Sequence, residues 1–575
     1  MYLRTIQRRN KDGSVVRYVQ LAHNVRHPES GQAVAKVLHS FGREDQLDRD
    51  ALVRLVGSLS RYLGLERLAP ARAVGAGEEL TFLAAKTLGG CWALDGIWHR
   101  LGLDELVRAA LAGRRCDPTA VERVLFALVA NRALDPGSKL ACTRWVGEVA
   151  HVPGLTGMDE DAAYRAMDLL LEVEGALAEQ VFWATATLLD LEVDLVFFDT
   201  SSTYFERDTA DEPVARDAHG QPVDAASADA VGDPVGFRTY GHSKDSREDL
   251  PQVVIGMAVT RSGIPIRVWC WPGNTADVAV LAQVRADLRD WKLTRVVWVT
   301  DRGFASAENR RLLQRAGGHY IQAEKLRGLG EAEAALARAG RYRTVAGNLR
   351  IKEVQPRPNQ GVMADRFVVC ANPEQAERDA TVRDRLLAQL TERIAGSDAL
   401  SGTKRAELRG ALRTQPGLHR YLRVTAGGLL RVDRAAVARE AHLDGKWLLR
   451  CSDPSLSAED IAVGYKQLLE VERGWRDMKT HLDLRPVHHR KEERIRAHVL
   501  LCWLALLLIR VAEIAIPTST WRRIREQLQT LHVGTFTGNA GHALQRTELT
   551  STQADILRAL AAAPPPRFLE ITTGD

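Results

Sequence analysis

The chain has 575 residues, with 78 Lys and Arg against 73 Asp and Glu, so its formal net charge is +5. Apolar residues make up 45% and charged residues 26%, which excludes wholesale disorder, a collagen-like repeat and a disulfide-stapled mini-protein. The length predicts about three to five domains. The small net charge argues only weakly against a nucleic-acid binder, because binding depends on where the charges lie.

The seven cysteines are scattered, without the spacing of a zinc site. An odd number of cysteines in a long chain is typical of a reducing compartment, so we expect a cytoplasmic protein. The most apolar run, Val499 to Ile509, is too short to span a bilayer. We therefore expect a buried core helix there and no membrane partner.

The first 43 residues are basic, with eight Lys or Arg side chains against Asp12 and Glu29. After a turn at 11–13, the alternation from Val15 to Leu21 predicts a strand. From about 48 to 190, Leu, Ala and Val recur at helical spacing. A basic start of this kind is either a solvated surface or a segment that contacts DNA.

The sequence pattern in the middle of the chain is typical of a mixed α/β sheet. Apolar runs typical of strands lie at 195–199, 253–259, 264–270, 295–301 and 319–323. Turn residues lie between some of these runs, and a helix is predicted at about 305–316, between the last two. This order predicts a sheet with a βαβ half. The polar stretch 207–234 cannot form a packed core, which predicts a surface loop.

Residues 330–447 interrupt this pattern with strand-like pieces around a charged helical segment at about 375–397, which predicts an inserted subdomain. A strand at 447–451 and one helix from Ala458 to Lys479 are predicted next. The end of the chain, after residue 515, is expected to be helical, with Pro564 to Pro566 closing its last helix.

Two acids, Asp199 and Asp301, each end an apolar run. Buried strands deliver their last side chains to the sheet edge, where ligands bind in α/β folds. Two neighbouring carboxylates are costly unless a divalent cation neutralises them, and Mg²⁺ needs only one or two protein carboxylates. The alternative is that each Asp merely caps a turn or the next helix.

Tyr465, Glu472 and Lys479 stand seven residues apart on the predicted helix. Seven residues are close to two helical turns, so the three side chains share one face, roughly 10 Å from each to the next. Such a face suits a phosphate backbone beside a metal ion. A solvated helix face with coincidental spacing is the alternative.

These residues, taken together, resemble the DDE transposases of bacterial insertion sequences, in the insertion-sequence-four group. The block Val196 to Phe205 is similar to the first-Asp block, and Gly241-His242-Ser243-Lys244-Asp245 is similar to the block that follows it. Asp301-Arg302-Gly303-Phe304 resembles the second-Asp signature. Tyr465, Glu472 and Lys479 fit the helix signature Tyr-x-x-Arg-x-x-x-Glu-x6-Lys, but Leu468 occupies its Arg position.

The resemblance implies a ribonuclease-H-like mixed-sheet core, interrupted by a mostly β insertion and preceded by a basic and helical N-terminal region. It implies cleavage at element ends and strand transfer into target DNA by a homodimer, with Asp199, Asp301 and Glu472 holding Mg²⁺, or Mn²⁺ as an alternative. The residues expected to contact DNA are Tyr465, Lys479, Arg473, Arg476, Arg485, His488 and Arg490.

The expected domains, in chain order, are a basic DNA-contacting region (1–75), a helical DNA-binding domain (76–190), the first part of the core (191–329), the insertion (330–447), the second part of the core (448–515) and a helical tail (516–575).

Two alternative functions stay open. One is a non-transposing nuclease of the same fold, and the other is a DNA-binding protein that has lost catalysis, for which Leu468 is the one favourable observation.

Overall fold

The computed structural model describes residues 2–9, 15–26, 33–47, 80–188, 195–289, 296–327, 330–354, 365–538 and 541–573. The chain forms two compact units. The first comprises residues 1–83, 536–543 and 570–575, and the second comprises residues 84–535 and 544–569.

The first unit contains an antiparallel sheet of three strands in the order β1-β2-β3. These strands are β1 (Tyr2–Arg9), β2 (Val15–Arg26) and β3 (Ala33–Arg43). The predicted strand at Val15 is confirmed, and it extends five residues beyond Leu21. The predicted turn at 11–13 lies outside the described residues. Arg8 and Arg9 are exposed, so the basic character of this segment lies on its surface.

The second unit begins in β4 (Thr81–Thr87), a strand that the helical pattern did not predict. Six helices follow, as predicted: α1 (Gly89–Arg100), α2 (Leu103–Ala110), α3 (Pro118–Leu134), α4 (Lys139–Arg144), α5 (Glu160–Glu172) and α6 (Glu174–Leu188). The start of α3 shows why the sequence folds this way. Asp117 accepts the backbone N–H groups of Thr119 and Ala120, while Pro118 takes the first position, where no N–H is needed.

A mixed sheet forms the centre of the second unit, as predicted. Its first five strands are β5 (Leu195–Tyr204), β6 (Gln252–Val259), β7 (Pro265–Pro272), β8 (Val297–Thr300) and β9 (His319–Glu324). Their spatial order is β7-β6-β5-β8-β9, in which β6 is antiparallel to both neighbours and β5, β8 and β9 are parallel. The helices α7 (Asp277–Arg289) and α8 (Ala307–Gln314) connect β7 to β8 and β8 to β9.

The segment 330–447 differs from the mostly β insertion that we expected. It contains α9 (Gly330–Ala337), β10 (Arg343–Ala346), β11 (Leu349–Val354), β12 (Arg366–Ala371), α10 (Pro373–Ile394), α11 (Gly402–Arg413), α12 (Pro416–His419), β13 (Leu422–Val424), β14 (Leu430–Val432) and α13 (Arg434–Ala441). The longest element is the 22-residue helix α10, whereas the strands have three to six residues each. The expectation of a mostly β segment is therefore wrong, because charged, good helix-forming residues with side-chain caps fill its second half.

Three strands of this segment also join the central sheet. With β15 (Lys446–Cys451), they extend it to nine strands in the order β10-β11-β12-β15-β9-β8-β5-β6-β7. The strand β12 lies between β11 and β15, and its side chains from Phe367 to Cys370 are buried. Part of the segment therefore belongs to the central sheet, and the segment is not a separate β domain.

The rest of the chain contains α14 (Ala458–Lys466), α15 (Leu469–Thr480), α16 (Glu492–Ala515), α17 (Trp521–Leu528), β16 (His532–Gly538), β17 (Gly541–Arg546), α18 (Ser551–Ala559) and β18 (Phe568–Thr573). The prediction of an all-helical tail is wrong, because Thr and Val alternate with other residues along β16, a pattern that favours a strand. Prolines 564–566 follow the end of α18 and precede β18.

The helix α16 is the central core helix of the second unit. By length and composition it could cross a membrane, with a mean hydropathy of 2.0, but 89% of its apolar window is buried inside the protein. It packs against α3, α5 and β7. The indole of Trp503 donates to the Pro265 carbonyl, 2.8 Å away. The predicted core helix is confirmed, although it is 24 residues long rather than the 11 of its most apolar run.

Candidate active site

Asp199 and Asp301 are brought together by the register of two parallel strands. Phe198 on β5 pairs with Thr300 on β8. The residue after each of them is an acid, so Asp199 and Asp301 lie at the same level. Asp301 follows the end of β8, as predicted. The expectation that Asp199 ends its strand is wrong, because β5 continues to Tyr204 through Thr and Ser residues that pair with β6. Side chains aligned in parallel strands point to the same face, so the two carboxylates share one site.

The environment of Asp199 opposes its ionisation. Burial raises the pKa of this carboxyl to about 6, and the negative charges of Asp301 and Asp277 contribute in the same direction. The ammonium of Lys244 acts against these effects. A carboxylate cluster that is this poorly solvated favours any cation that can enter it.

Lys244 is the cation that the cluster holds. Its Nζ lies 3.2 Å from Asp277 Oδ2 and 3.8 Å from Asp199 Oδ1, and it donates to the Thr200 carbonyl at 2.8 Å. The Thr200 hydroxyl in turn donates to Asp277 Oδ1. Asp277 is the first residue of α7, so a third acid reaches the site from the helix that connects β7 to β8.

Tyr465 reaches the same site from α14. Its hydroxyl donates to Asp301 Oδ1 at a distance of 2.9 Å. Burial and the charge of Asp301 raise the pKa of this phenol, so the hydroxyl stays protonated and acts as a hydrogen-bond donor. This contact ties the helix to the sheet edge that carries the acids.

The single helix predicted from Ala458 to Lys479 is two helices. α14 ends at Lys466 and α15 begins at Leu469, and the turn between them has Leu468 N–H bonded to the Tyr465 carbonyl. Leu468 lies at this turn, where it is 7% exposed and packs into the core. Tyr465 and Glu472 consequently belong to different helices.

Glu472 lies on α15 with an exposed side chain. Its charge is close enough to Tyr465 to contribute to raising the pKa of that phenol. Across the parts of the chain that the structure describes, however, no three His, Cys, Asp or Glu side chains are grouped closely enough to hold a metal ion. Asp199 and Asp301 are neighbours, whereas Glu472 is linked to them only through Tyr465.

Lys479 and Arg485 lie beside the acids and share one partner. Lys479 Nζ is 2.9 Å from Asp245 Oδ1, and Arg485 Nη1 is 2.7 Å from Asp245 Oδ2. The guanidinium of Arg485 also lies over the ring of Tyr204, 5.5 Å from its centroid. Two of the cations expected to contact DNA are therefore together, with a carboxylate between them.

Arg473 and Arg476 point in different directions. Arg473 pairs with Glu513 of α16 at 2.8 Å, in a network that also contains Arg510. Its guanidinium has a structural partner and is not directed at the acids. Arg476 is exposed one turn before Lys479.

His488 and Arg490 line a cleft of about 490 Å³ together with Arg207, Arg238 and Phe205. Both side chains are exposed. Between them, burial and nearby cations lower the pKa of His489 to about 4, so that ring is neutral at pH 7. The positive charge of this cleft at neutral pH therefore comes from its arginines.

The donor set at the sheet edge fits a hard divalent cation. Carboxylate oxygens from Asp199 and Asp301 are the ligands that Mg²⁺ and Mn²⁺ prefer, and Mg²⁺ is commonly held by only one or two of them. The poorly solvated Asp199 carboxyl and the ammonium held beside it show that the position stabilises positive charge. The fit involves two strand acids, with Glu472 more distant.

Sequence reasoning missed three residues of this site: Lys244, Asp245 and Asp277. The first two belong to a block that was used only as a sign of family resemblance. Asp277 starts a helix after the turn that follows β7, so it lacks the strand-end position of Asp301. The sequence alone does not show that Lys244 and Asp277 meet Asp199 and Thr200 of β5.

Two protein families match parts of this chain. Residues 220–508 match the family described as Transposase DDE domain, and residues 3–69 match the family described as IS1634 family transposase, N-terminal domain. Asp301 and Glu472 lie inside the first match, and Asp199 precedes it. No curated protein matches the chain.

One similar solved structure is the cryo-EM structure of the piggyBac transposase synaptic complex with hairpin DNA. It is 11% identical, covers 82% of this chain and 81% of that chain, and has a TM-score of 0.33. At these values the likeness carries no further argument.

The chain belongs to the DDE transposase family, whose members cleave DNA and transfer strands. More particularly, it is an insertion-sequence DDE transposase with an N-terminal domain of the IS1634 type. Its partner is DNA, and its family uses a divalent metal.

Proposed function

We propose that Asp199, Asp301 and Glu472 are the catalytic acids of this transposase and that they bind Mg²⁺, with Mn²⁺ as a substitute. The observation that carries the proposal is the β5–β8 register, which puts Asp199 beside Asp301. The exposed Glu472 is adjacent to Tyr465, which is itself bonded to Asp301. Glu472 would join the strand acids when metal is bound.

The bound metal ions would supply Lewis-acid activation of the attacking oxygen and charge stabilisation of the leaving oxygen. The protein positions the acids on rigid strands, which costs little reorganisation during the reaction. Tyr465 orients the Asp301 carboxylate by donating to Oδ1, which leaves Oδ2 available. No covalent protein–DNA intermediate is required, so Tyr465 is not a nucleophile.

Lys479 and Arg485 would bind phosphates next to the cleaved bond. Their position beside the acids and their shared anionic partner support this role. The exposed Arg476, His488 and Arg490 would contact the backbone further along. Arg473 is retained as a weaker candidate, since Glu513 already neutralises it.

The core formed by β5–β9 is proposed to be ribonuclease-H-like. The order β7-β6-β5-β8-β9, with only β6 antiparallel, supports this assignment. The basic segment 1–75 and the helical segment 76–190 would bind the element ends, and the exposed Arg8 and Arg9 support a DNA contact by the first. We further propose a homodimer on DNA in the bacterial cytoplasm, at the nucleoid, because two ends must be processed together.

The test uses purified full-length protein, duplexes carrying the DNA that flanks the gene, and Mg²⁺, with cut positions mapped on a sequencing gel. Asp199→Asn, Asp301→Asn and Glu472→Gln should each lower the cleavage rate by about 10³-fold or more, because metal-assisted stabilisation is worth several kcal/mol. Binding to the same duplexes should remain.

Asp229→Asn is the matched control, since Asp229 is an exposed acid in the polar loop and should leave the rate unchanged. Full Mg²⁺-dependent cleavage by the Glu472→Gln variant would remove Glu472 from the site. Cuts without any joining of ends to a target duplex would favour the non-transposing nuclease.

A further inference from the structure

Lys244 and Asp245 are consecutive residues with opposite charges, and each lies in the half of the site that has the opposite sign. Lys244 contacts the carboxylates of Asp199 and Asp277, as described above. Asp245 contacts Lys479 and Arg485. One dipeptide therefore neutralises both the acidic and the basic half of the site.

We propose that, in the DNA-free site, the Lys244 ammonium occupies the place of the metal ion and the Asp245 carboxylate occupies the place of a DNA phosphate. Both side chains leave these places when metal and DNA bind. The inference rests on the proposed function, since it assumes that metal binds at Asp199 and phosphate at Lys479. The described conformation is then a self-neutralised resting state of the transposase.

The geometry of the acidic half supports the first part of this inference. The ammonium bridges carboxylates from β5 and α7 and also donates a hydrogen bond to the Thr200 carbonyl. A cation surrounded by carboxylate and carbonyl oxygens is in the chemical environment of a bound metal ion. A divalent ion and an ammonium cannot both occupy it, because like charges at this distance repel strongly.

The geometry of the basic half supports the second part. Asp245 is 12% exposed at its side chain and presents one oxygen to each cation, 2.9 Å from Lys479 and 2.7 Å from Arg485. A phosphate group would make the same two contacts through two of its oxygens. As long as Asp245 is in place, these cations are not available to DNA.

Hydrogen bonds hold the backbone of the segment that carries the dipeptide. The backbone N–H of Lys244 donates to Ser202 Oγ on β5, and Ser243 Oγ accepts the N–H groups of Asp245 and Arg247. These bonds hold the backbone of the turn. Withdrawal therefore requires only rotation of the two side chains, and Lys has four rotatable bonds for it.

The first experiment measures Lys244 in the unmodified, DNA-free protein. An amine-acetylating reagent is applied with and without Mn²⁺, and the labelling of each lysine is read by mass spectrometry. Mn²⁺ should increase the labelling rate of Lys244 about threefold or more relative to Lys404, an exposed lysine on α11. Labelling of Lys244 that stays constant or falls while Mn²⁺ binds would overturn the proposal.

The second experiment measures Mn²⁺ affinity from the free-ion signal in electron paramagnetic resonance, again without DNA. Lys244→Met should bind Mn²⁺ about tenfold more tightly than the unmodified protein, because the competing cation is gone. Lys404→Met, with the same change in net charge, should not differ. Equal Mn²⁺ affinities in all three proteins would overturn the proposed role of Lys244 but would not contradict the proposed function. No Mn²⁺ binding in any of them, with no cleavage activity, overturns both.

The basic half is tested with a fluorescent duplex of unrelated sequence, in EDTA, by anisotropy. Asp245→Asn should bind it about threefold to tenfold more tightly, because Lys479 and Arg485 become available. Asp249→Asn changes the same charge in the same loop, at a side chain that is 64% exposed and paired with Arg247, and is the matched control. Equal tightening in the two variants would show a general charge effect and would overturn the role of Asp245.

Discussion

At the residue scale, the ionised form of Asp199 that would bind metal is also the form that destabilises the metal-free protein. Its carboxyl has a raised pKa of about 6 because it is poorly solvated and has Asp301 and Asp277 as neighbours. In an unfolded chain the same group would ionise near its ordinary value of 3.8. The folded protein therefore binds a proton more tightly than the unfolded one, so ionisation of Asp199 destabilises the metal-free fold.

The sign of the pH dependence follows. Below about pH 4 the carboxyl is neutral in both states and costs nothing, and the destabilisation develops as the pH rises from about 4 to about 6. Asp199→Asn should therefore raise the melting temperature of the metal-free protein by about 2 °C at pH 7.5 and leave it unchanged at pH 4. Differential scanning fluorimetry at the two pH values measures this, and a lower melting temperature at pH 7.5 would contradict it.

Leu468 gives a second prediction at this scale. Because it packs into the core at the turn between α14 and α15, Leu468→Arg should not restore the Arg of the family motif. It should bury a charge and lower the stability by about 2–4 kcal/mol. The neighbour Leu469 is 59% exposed, so Leu469→Arg is the control and should change the melting temperature little. Higher cleavage activity in Leu468→Arg would count against this interpretation.

These residues also show what could be read from the sequence. Asp301 was found because the apolar run before it ends where the strand ends. The same signal indicated Asp199, although its strand continues to Tyr204, so its expected place at a strand end was wrong. Lys244 and Asp277 carry no periodic signal that links them to Asp199, since their approach depends on which strands become neighbours.

At the element scale, β5 and β6 must lie close together for the acids to be held rigidly. Gly256 on β6 pairs with Thr200, and a Cβ at this position would lie 2.6 Å from the ring of Trp271 and 3.0 Å from that of Phe198. Both rings are fixed in the core and cannot shift easily. The glycine therefore permits Phe198 of β5 and Trp271 of β7 to pack together over β6.

Gly256→Ala should accordingly destabilise the protein by about 1–3 kcal/mol through overpacking, and it should reduce cleavage by disturbing β5. Gly410 lies in α11 with open space around its Cβ position, so Gly410→Ala is the control and should be neutral or slightly stabilising. Thermal unfolding of the two variants measures the difference. A Gly256→Ala protein as stable as the unmodified one would show that the rings adapt.

Elements were predicted best where burial alone decides them. The hairpin β6–β7, the strands β8 and β9 and the core helix α16 follow from apolar runs and a turn signal. The helices of 330–447 were underestimated, because the short strands between them gave the stronger local pattern. The strand β4 was missed, since a strand with mostly exposed side chains has little hydrophobic periodicity.

At the scale of the whole molecule, the net charge of +5 is a sum of opposed local fields. The acids around Asp199 and the arginines around His488 lie in the same unit, so the total says little about DNA binding. What matters is the number of cations that meet phosphates, and this number sets the salt dependence of the affinity.

Arg490→Ala should therefore weaken DNA binding and reduce the slope of log K against log salt by about 0.9, the value expected for one lost phosphate contact. Arg558 is 76% exposed at its side chain and pairs with Asp555 on α18, so Arg558→Ala is a control with the same charge change. Fluorescence anisotropy at several salt concentrations gives the slopes. The same reduction in both variants would show that position does not matter, contrary to the proposal.

The arrangement of α16 has a consequence for how this protein evolves. The helix comes late in the sequence, yet it packs against α3 and α5, which come much earlier, and against β7, which lies between them in sequence. Recombination between related elements anywhere between these segments would pair a helix from one parent with packing partners from another. The second unit should therefore be inherited as one block, and functional chimeras should exchange residues at the borders of this block rather than within it.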